Sequence, residues 1–228
     1  EFVIPFVGLK IGNHVFEYDV DISFFEGIDY SIIHDGNVHV KLELDKKERL
    51  LVLQGAGINI DRGGEELIQA MKLIDAKLWI IGSGDAIPNL KLMTEQLGLS
   101  EKVEFKGKVS LHDLKASTAL CQIGFSLDKD TNINYRYSLP NKLFDYLQAS
   151  CAVVVSDLKE VSRLVKEHQV GVVLKEVSPE EIATKVNTLL DSPEELRKYQ
   201  TNALKASKQL HWGEEKKKLE DLFSELKR

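Results

Sequence analysis

From Leu50 onward the sequence predicts an open α/β fold, a parallel sheet with helices on both faces. Two observations predict it. The first is a series of short, near-continuous apolar runs: LLVLQG, KLWIIG, KVEFKG, CQIGFSL, CAVVVSD and GVVL. Strands buried on both faces read this way, whereas a sheet wetted on one face alternates. The second is that segments of helical period separate the runs, as parallel strands require for their crossovers.

In chain order, Leu50–Gly55 is the first strand and Glu65–Ile74 its helix. Lys77–Gly82 leads into Pro88–Leu97, and Lys102–Gly107 into Leu111–Leu120, with Ser110 as the cap of that helix. After Cys121–Leu127 comes the long polar stretch DKDTNINYRYSLPNK, and a connection of that length in a compact domain is functional or disordered. The helix Pro140–Ala149 follows, with Leu143, Phe144 and Leu147 at the spacing of a buried face. Ser138 and Pro140 read as its start punctuation, Ser as cap and Pro in the first turn. Cys151–Asp157, Val161–Glu167 and Gly171–Leu174 continue the alternation, and Pro179–Leu190 and Glu194–Lys208 close it. Glu214–Leu226 is charged and amphipathic, expected to pack on the body as a solvated terminal helix.

Residues 1–48 read differently. The opening EFVIPFVGLKIGNHVFEYDV alternates, with turns expected at Gly8 and Gly12. NVHVKLELDKK has period 2, with Val38, Val40, Leu42 and Leu44 on one face. This β-rich piece has too little apolar surface to fold alone. The boundary is expected in the charged run Asp45–Arg49, dividing the chain into 1–48 and 49–228. The exposed edge of such a piece also makes self-association an expectation.

The bulk properties narrow the function classes. A hydrophobic content of 43% and a charged content of 29% are those of a soluble globular chain. No apolar run reaches the roughly 18 residues of a membrane span, and the N-terminus carries no signal-peptide pattern. Cys121 and Cys151 both lie in apolar runs, as buried thiols of a reducing compartment do, so the cytoplasm is expected. The net charge of −6 argues against a nucleic-acid partner.

Ligands of open α/β sheets bind beyond the carboxyl ends of the strands, so each strand-to-helix loop is a candidate wall. In QGAGINIDRGGEEL, Gly55, Gly57, Gly63 and Gly64 permit close backbone approach, Asp61 is a candidate cap, and Arg62 stands at a helix N-terminus suited to phosphate. IGSGDAIP repeats the small-residue pattern with less specificity. In KGKVSLHDL, His112 falls on the polar side of a helix and reads as solvated. Asp128, Lys129 and Asp130 form an Asp-x-Asp that reads as solvated loop, without the Cys/His cluster of a metal site. Lys142 is the odd residue, because a cation in the first turn opposes the helix dipole by about 0.3–1 kcal/mol. A surface pair with Asp145 would explain it; so would an anion at the helix N-terminus, with Asp145 accepting from a ribose diol.

These stretches resemble the C-terminal, donor-binding domain of family 4 (group 1) glycosyltransferases, enzymes with two Rossmann-like domains in a GT-B fold. The resemblance spans about four-fifths of the chain and rests on LQGAGINIDRGGEELIQAM, LWIIGSGDAIPNLKLMTEQLGLSEKVEFKGKV, SLPNKLFDYLQASCAVVVSD and LHWGEEKKKLEDLFSEL, in family order. It implies a nucleoside diphosphate sugar (UDP or GDP) as donor, no cofactor, no required metal, and transfer of a hexosyl unit with retained configuration. The donor-binding residues it implies are Gly55, Arg62, Gly63, Lys108, Val109, Ser138, Leu139, Pro140, Asn141, Lys142 and Asp145, with Lys108 and Val109 near the base. Two departures are visible. The first of the family's two acids, eight positions before Asp145, is Tyr137, and Ser150 replaces a usual glycine.

The opening of residues 1–48 resembles instead the start of YceD-like proteins, a bacterial family associated with large-subunit ribosomal RNA accumulation. The two resemblances together imply a fragment lacking the acceptor domain, inactive by itself. An acceptor domain or another protein is then the expected partner, with peripheral attachment at the inner face of the membrane. The alternative is a non-catalytic, ribosome-linked interaction protein or nucleotide-binding domain.

Overall fold

The structure, a computed structural model, describes residues 49–226 and, of the first 48, the backbone pairing of four short strands. The chain divides into two compact units, residues 1–48 with 110–116 and residues 49–109 with 117–228. In the first, β1 (Val7–Ile11) pairs antiparallel with β2 (His14–Tyr18) and parallel with β4 (Val38–Leu42), which pairs antiparallel with β3 (Tyr30–His34). Gly8 is not at a turn: it lies inside β1, opposite Glu17 and His39, because the alternation of Val7, Leu9 and Ile11 carries the strand through it. Gly12, Leu44 and most of the expected linker lie outside the described residues.

The second unit contains β5 (Leu50–Gly55), α1 (Gly64–Ala70), β6 (Lys77–Gly82), α2 (Ile87–Gln96), β7 (Val103–Gly107) and β8 (Ile123–Ser126). It continues with α4 (Ile133–Tyr137), α5 (Asn141–Gln148), β9 (Ala152–Ser156), α6 (Lys159–His168) and β10 (Gly171–Leu174). The last three helices are α7 (Pro179–Leu190), α8 (Pro193–Ser207) and α9 (Trp212–Leu226). Between β7 and β8 the chain forms α3 (Leu111–Leu120), whose first turn is capped by Ser110 Oγ accepting from the Asp113 N–H at 3.1 Å.

The sheet order is β10-β9-β8-β5-β6-β7, and every pairing is parallel. This is the doubly wound arrangement expected from the alternating runs, and its direction reverses between β5 and β8. On one face α1, α2 and α7 bury Leu67, Ile68, Met71, Leu90, Ile182 and Val186 against Leu51, Leu53, Leu78, Ile80 and Phe125. On the other, α5 covers β8 and β9 with Leu143, Tyr146 and Leu147 and packs against α8.

Element bounds follow the sequence reading within a few residues, with instructive exceptions. The expected helix through Ile74 stops at Ala70, yet Ile74 is fully buried, so the apolar period outlasts the helical backbone. The long polar stretch holds α4, started by Asn132, whose side chain accepts from the Tyr135 N–H at 3.0 Å. Ser138 ends α4 rather than capping α5, and Pro140 stands before the first turn of α5 as its N-cap, with no side-chain cap bond. In α9 the apolar side chains Trp212, Leu219, Leu222 and Phe223 are exposed rather than packed on the body.

Ser150, where the family pattern has glycine, adopts the left-handed conformation with φ 57° after α5. Its hydroxyl donates to the Gln200 carbonyl at 2.8 Å and ties α5 to α8. Ser150→Ala is therefore expected to cost about 1 kcal/mol by losing that bond while keeping the strained backbone. Ser150→Gly loses the same bond but relieves about 1–2 kcal/mol of left-handed strain, leaving stability close to wild type. Urea unfolding of the two variants checks the difference in sign and size.

Candidate functional site

The site forms where the sheet reverses direction. β5 and β8 pair only at Leu51 with Ile123 and Val52 with Gly124. Toward their carboxyl ends the hydroxyl of Tyr146 enters between them, accepting from the Gln54 N–H at 3.1 Å and donating to the Phe125 carbonyl at 3.1 Å. Burial holds that phenol well above its ordinary pKa, so it remains a neutral donor. Tyr146 thus satisfies backbone groups that would otherwise pair across the strands, and the opening it props is the crevice where such folds bind ligands.

Charged side chains from two loops and the start of a helix meet at this opening. Arg62, just before α1, donates from Nη1 to Oδ1 of Asp128 at 3.0 Å. Lys142, in the first turn of α5, places Nζ 3.5 Å from Oδ2 of the same carboxylate. The Lys142 and Asp128 side chains are only 10% and 6% exposed, against 26% for Arg62. The Arg62 guanidinium lies 4.7 Å over the ring of Tyr135 from α4, a cation–π contact that fixes its plane. Its Nε is buried without a partner among the described residues.

The sequence reading of Asp128 is thereby corrected. It is not solvated: β8 ends just before it, at the carboxyl edge of the sheet, and its carbonyl accepts from Ser156 Oγ of β9 at 2.7 Å. Its neighbour Lys129 is also tied down, by its N–H to the Asp61 carbonyl at 2.9 Å and by Nζ 2.7 Å from Glu66 of α1. Asp61 does not cap α1, because Gly63 occupies the N-cap position with φ 70°. A Cβ on Gly63 would lie 2.4 Å from Leu127 Cβ, so glycine is required there by conformation and by contact.

Two signs in the sequence could have exposed these partners. Asp128 closes an apolar strand at the sheet's binding edge, and Gln54 is a lone polar residue in a strand of core residues. Gln54 bridges two elements: its Nε2 donates to Oδ2 of Asp145 at 3.1 Å, while its Oε1 accepts from the Thr118 hydroxyl at 2.6 Å. Asp145 is thereby tied to the penultimate residue of β5.

Of the other expected site residues, Ser138, Leu139 and Pro140 are half-buried in the link between α4 and α5, and Asn141 is exposed as the first residue of α5. Lys108 is exposed and Val109 half-buried after β7, an edge strand separated from β5 by β6. Tyr137 is exposed, with the Lys159 ammonium 4.9 Å from its ring. Gly82 and Gly84 serve loop packing, since a Cβ on either would fall within about 2 Å of the Gly55 or Ile58 carbonyl oxygen. Among the described residues no group of three or more His, Cys, Asp or Glu side chains could hold a metal ion.

The electrostatics show that the lysine in the first turn of α5 is held there at a cost to stability. Burial lowers the pKa of Lys142 below the ordinary lysine value and the Arg62 charge lowers it further, while Asp128 acts in the opposite sense. The folded chain therefore binds this proton less tightly than the unfolded chain. Its contribution to stability is unfavourable below the folded pKa and vanishes above the unfolded value of about 10.4. The stability of wild type relative to Lys142→Met is expected to rise with pH across that window, as measured by urea unfolding at stepped pH.

A family model described as "Glycosyl transferases group 1" matches residues 37–206. The chain belongs to the group 1 glycosyltransferases. The match begins inside the segment read as the N-terminal piece, ahead of the expected boundary at Arg49. An uncharacterized glycosyltransferase of Methanocaldococcus jannaschii is 27% identical over 187 residues, covering 78% of this chain and 43% of the relative. The chain thus spans less than half the length of that relative. Among solved structures, sucrose-phosphate synthase from Thermosynechococcus elongatus superposes with a TM-score of 0.69 at 16% identity, over 80% of this chain and 46% of that one. Anabaena HepE in complex with UDP gives 0.67 at 17% identity, over 78% and 49%. The catalytic domain of cholesterol-α-glucosyltransferase from Helicobacter pylori gives 0.61 at 17% identity, over 72% and 100%. At these identities the likeness is one of fold, a GT-B-type, Rossmann-like half. Among the described residues of this glycosyltransferase chain, no helix is long and apolar enough to cross a membrane.

Proposed function

We propose that residues 49–228 form the C-terminal, donor-binding domain of a glycosyltransferase with two Rossmann-like domains, and that they hold a UDP- or GDP-sugar. The observation that carries this reading is the convergence of Arg62 and Lys142, distant in sequence, on opposite oxygens of one carboxylate beside the reversal point of the sheet. Two cations against one carboxylate leave a net positive site, suited to a diphosphate. Asp145, steadied by Gln54, is placed to accept from ribose hydroxyls at the end of β5. The backbone around Lys108 and Val109 would meet the base, and Gly55, Gly63, Ser138, Leu139, Pro140 and Asn141 would line the remaining wall. The relative solved with UDP supports the ligand class.

In the reaction, Arg62 and Lys142 would offset the charge that builds on the departing diphosphate, a stabilisation larger in a water-poor site than in solvent. Transfer would retain the anomeric configuration and need no metal. The acceptor would be presented by a second domain or protein, so the purified chain is expected to bind donor without multiple turnovers. The same reading puts the protein in the cytoplasm, peripheral to the inner face of the membrane. Calorimetric titration with UDP, GDP and ADP tests the proposal. Micromolar to sub-millimolar binding of one nucleotide supports it, and no binding of any of them at millimolar concentration removes it. The ribosome-linked alternative rests on the YceD-like opening alone, and cosedimentation with ribosomes would be its test.

A further inference from the structure

We propose that Asp128 is the positioning residue of the diphosphate site, holding the Arg62 guanidinium and the Lys142 ammonium side by side and setting the charge that an incoming anion meets. The inference rests on the donor-site reading above and assigns a role to a carboxylate that this reading does not use. Each oxygen of Asp128 serves one cation, Oδ1 taking Arg62 at 3.0 Å and Oδ2 facing Lys142 at 3.5 Å. At 6% exposure the carboxylate is out of reach of bulk solvent, so its charge is screened little.

The placement of Asp128 is rigid. Ser156 of β9 holds its carbonyl, and Lys129, the next residue, is bonded to the Asp61 carbonyl and to Glu66. Groups oriented by such supporting bonds present their partners accurately. Without the carboxylate, two neighbouring cations would repel each other inside a poorly solvated opening. Burial and the Arg62 charge both disfavour the protonated form of Lys142, and Asp128 is the group that opposes them. The groups facing Lys142 are therefore Asp128 and Arg62, while Asp145, on the same helix, is bonded to Gln54. The Nε of Arg62, buried without a partner among the described residues, leaves that guanidinium a further donor for a ligand. Two cations and one anion leave a net charge of about +1, which suits a multiply charged phosphate better than a neutral sugar.

The test is calorimetric titration of UDP into wild type, Asp128→Asn and Asp128→Glu from about pH 6 up to the ordinary lysine value of about 10.4. Wild-type affinity is expected to fall toward the alkaline end, where Lys142 loses its proton, and at about pH 6 in all three proteins alike, where the terminal phosphate of UDP gains one. In Asp128→Asn the alkaline fall begins at lower pH, because the carboxylate that opposes burial and the Arg62 charge is gone. At the acid end the same variant binds UDP at least as tightly as wild type, because the site carries one more net positive charge. Asp128→Glu keeps the charge but moves it by one methylene, so it retains the wild-type profile with weaker binding throughout. An Asn variant whose profile runs parallel to wild type, whether equal or uniformly weaker, overturns the proposal and makes Asp128 a purely structural residue. A Glu variant displaced as far as the Asn variant overturns it too, and the Glu arm decides should Asp128→Asn not fold. Wild type that binds none of UDP, GDP and ADP removes the donor-site reading itself, an outcome distinct from a parallel profile.

Discussion

Lys142→Met is expected to weaken binding of a nucleoside diphosphate at least tenfold, about 1.4 kcal/mol. The ligand-free chain should be as stable as wild type or more so. Both halves follow from the same geometry. The Lys142 side chain is 10% exposed, so its ammonium has lost most of its hydration in return for one contact of 3.5 Å. Its partner does not depend on it, because Asp128 keeps the Arg62 bond at 3.0 Å when the lysine is gone. Replacing a buried ion by an apolar side chain of similar length is neutral or stabilising when no partner is left uncompensated. Methionine suits the space because it is unbranched and adaptable. Calorimetry gives the affinity and urea unfolding the stability. A variant that loses several kcal/mol of stability but binds normally would make Lys142 a structural residue, and the donor-site reading would fall with it.

Gly124→Ala is expected to destabilise the domain by about 1–3 kcal/mol, toward the upper end, although alanine is the better strand residue. The added Cβ would lie 2.5 Å from the Tyr146 ring. That ring is fully buried and cannot swing aside, since its hydroxyl is bonded to the Gln54 N–H and the Phe125 carbonyl. The accommodating movement must come from α5, which carries Lys142 and Asp145. Affinity for nucleotide should therefore fall together with stability, unlike in Lys142→Met, where the two separate. A cycle with Tyr146→Leu measures the contact directly: the alanine should cost less when the ring is absent. Equal costs in both backgrounds would place the strain elsewhere.

How far the site could be read from the chain varies residue by residue. Lys142 stands out in the sequence because a cation in a first helical turn opposes the dipole, Arg62 because it follows a Gly-rich loop at a helix N-terminus, and Asp145 as the acid that either pairs with Lys142 or accepts from a ribose. Asp128 reads as solvated because Asp-x-Asp in a polar loop is common, although the apolar run CQIGFSL that it closes is the one local sign of its burial. Gln54 was read only as the head of a loop, although it links β5, Thr118 of α3 and Asp145 of α5. Tyr146 has no place in the sequence reading, because its part in propping β5 from β8 depends on two strands far from it in sequence. The five-residue helix α4 spans little more than one turn, too brief for helical periodicity to register, and the strand β3 (YSIIH) carries no alternation, with Ile32 and Ile33 adjacent.

By itself the sequence determined the class of fold and the succession of strands and helices from Leu50 onward, and it singled out two cations and an acid as candidates for the site. These are local properties, since periodicity, cap chemistry and misplaced charge act over a few residues of contiguous chain. Only the tertiary structure decided that Lys142 faces Asp128, that Asp145 leans on Gln54, and that a tyrosine props the strands apart. Those partners meet because parallel strands in the order β10-β9-β8-β5-β6-β7 bring the ends of β5, β8 and β9 to one edge. Which loops share that edge is a matter of crossover and register, and these arise from packing among residues that no local window of the chain contains.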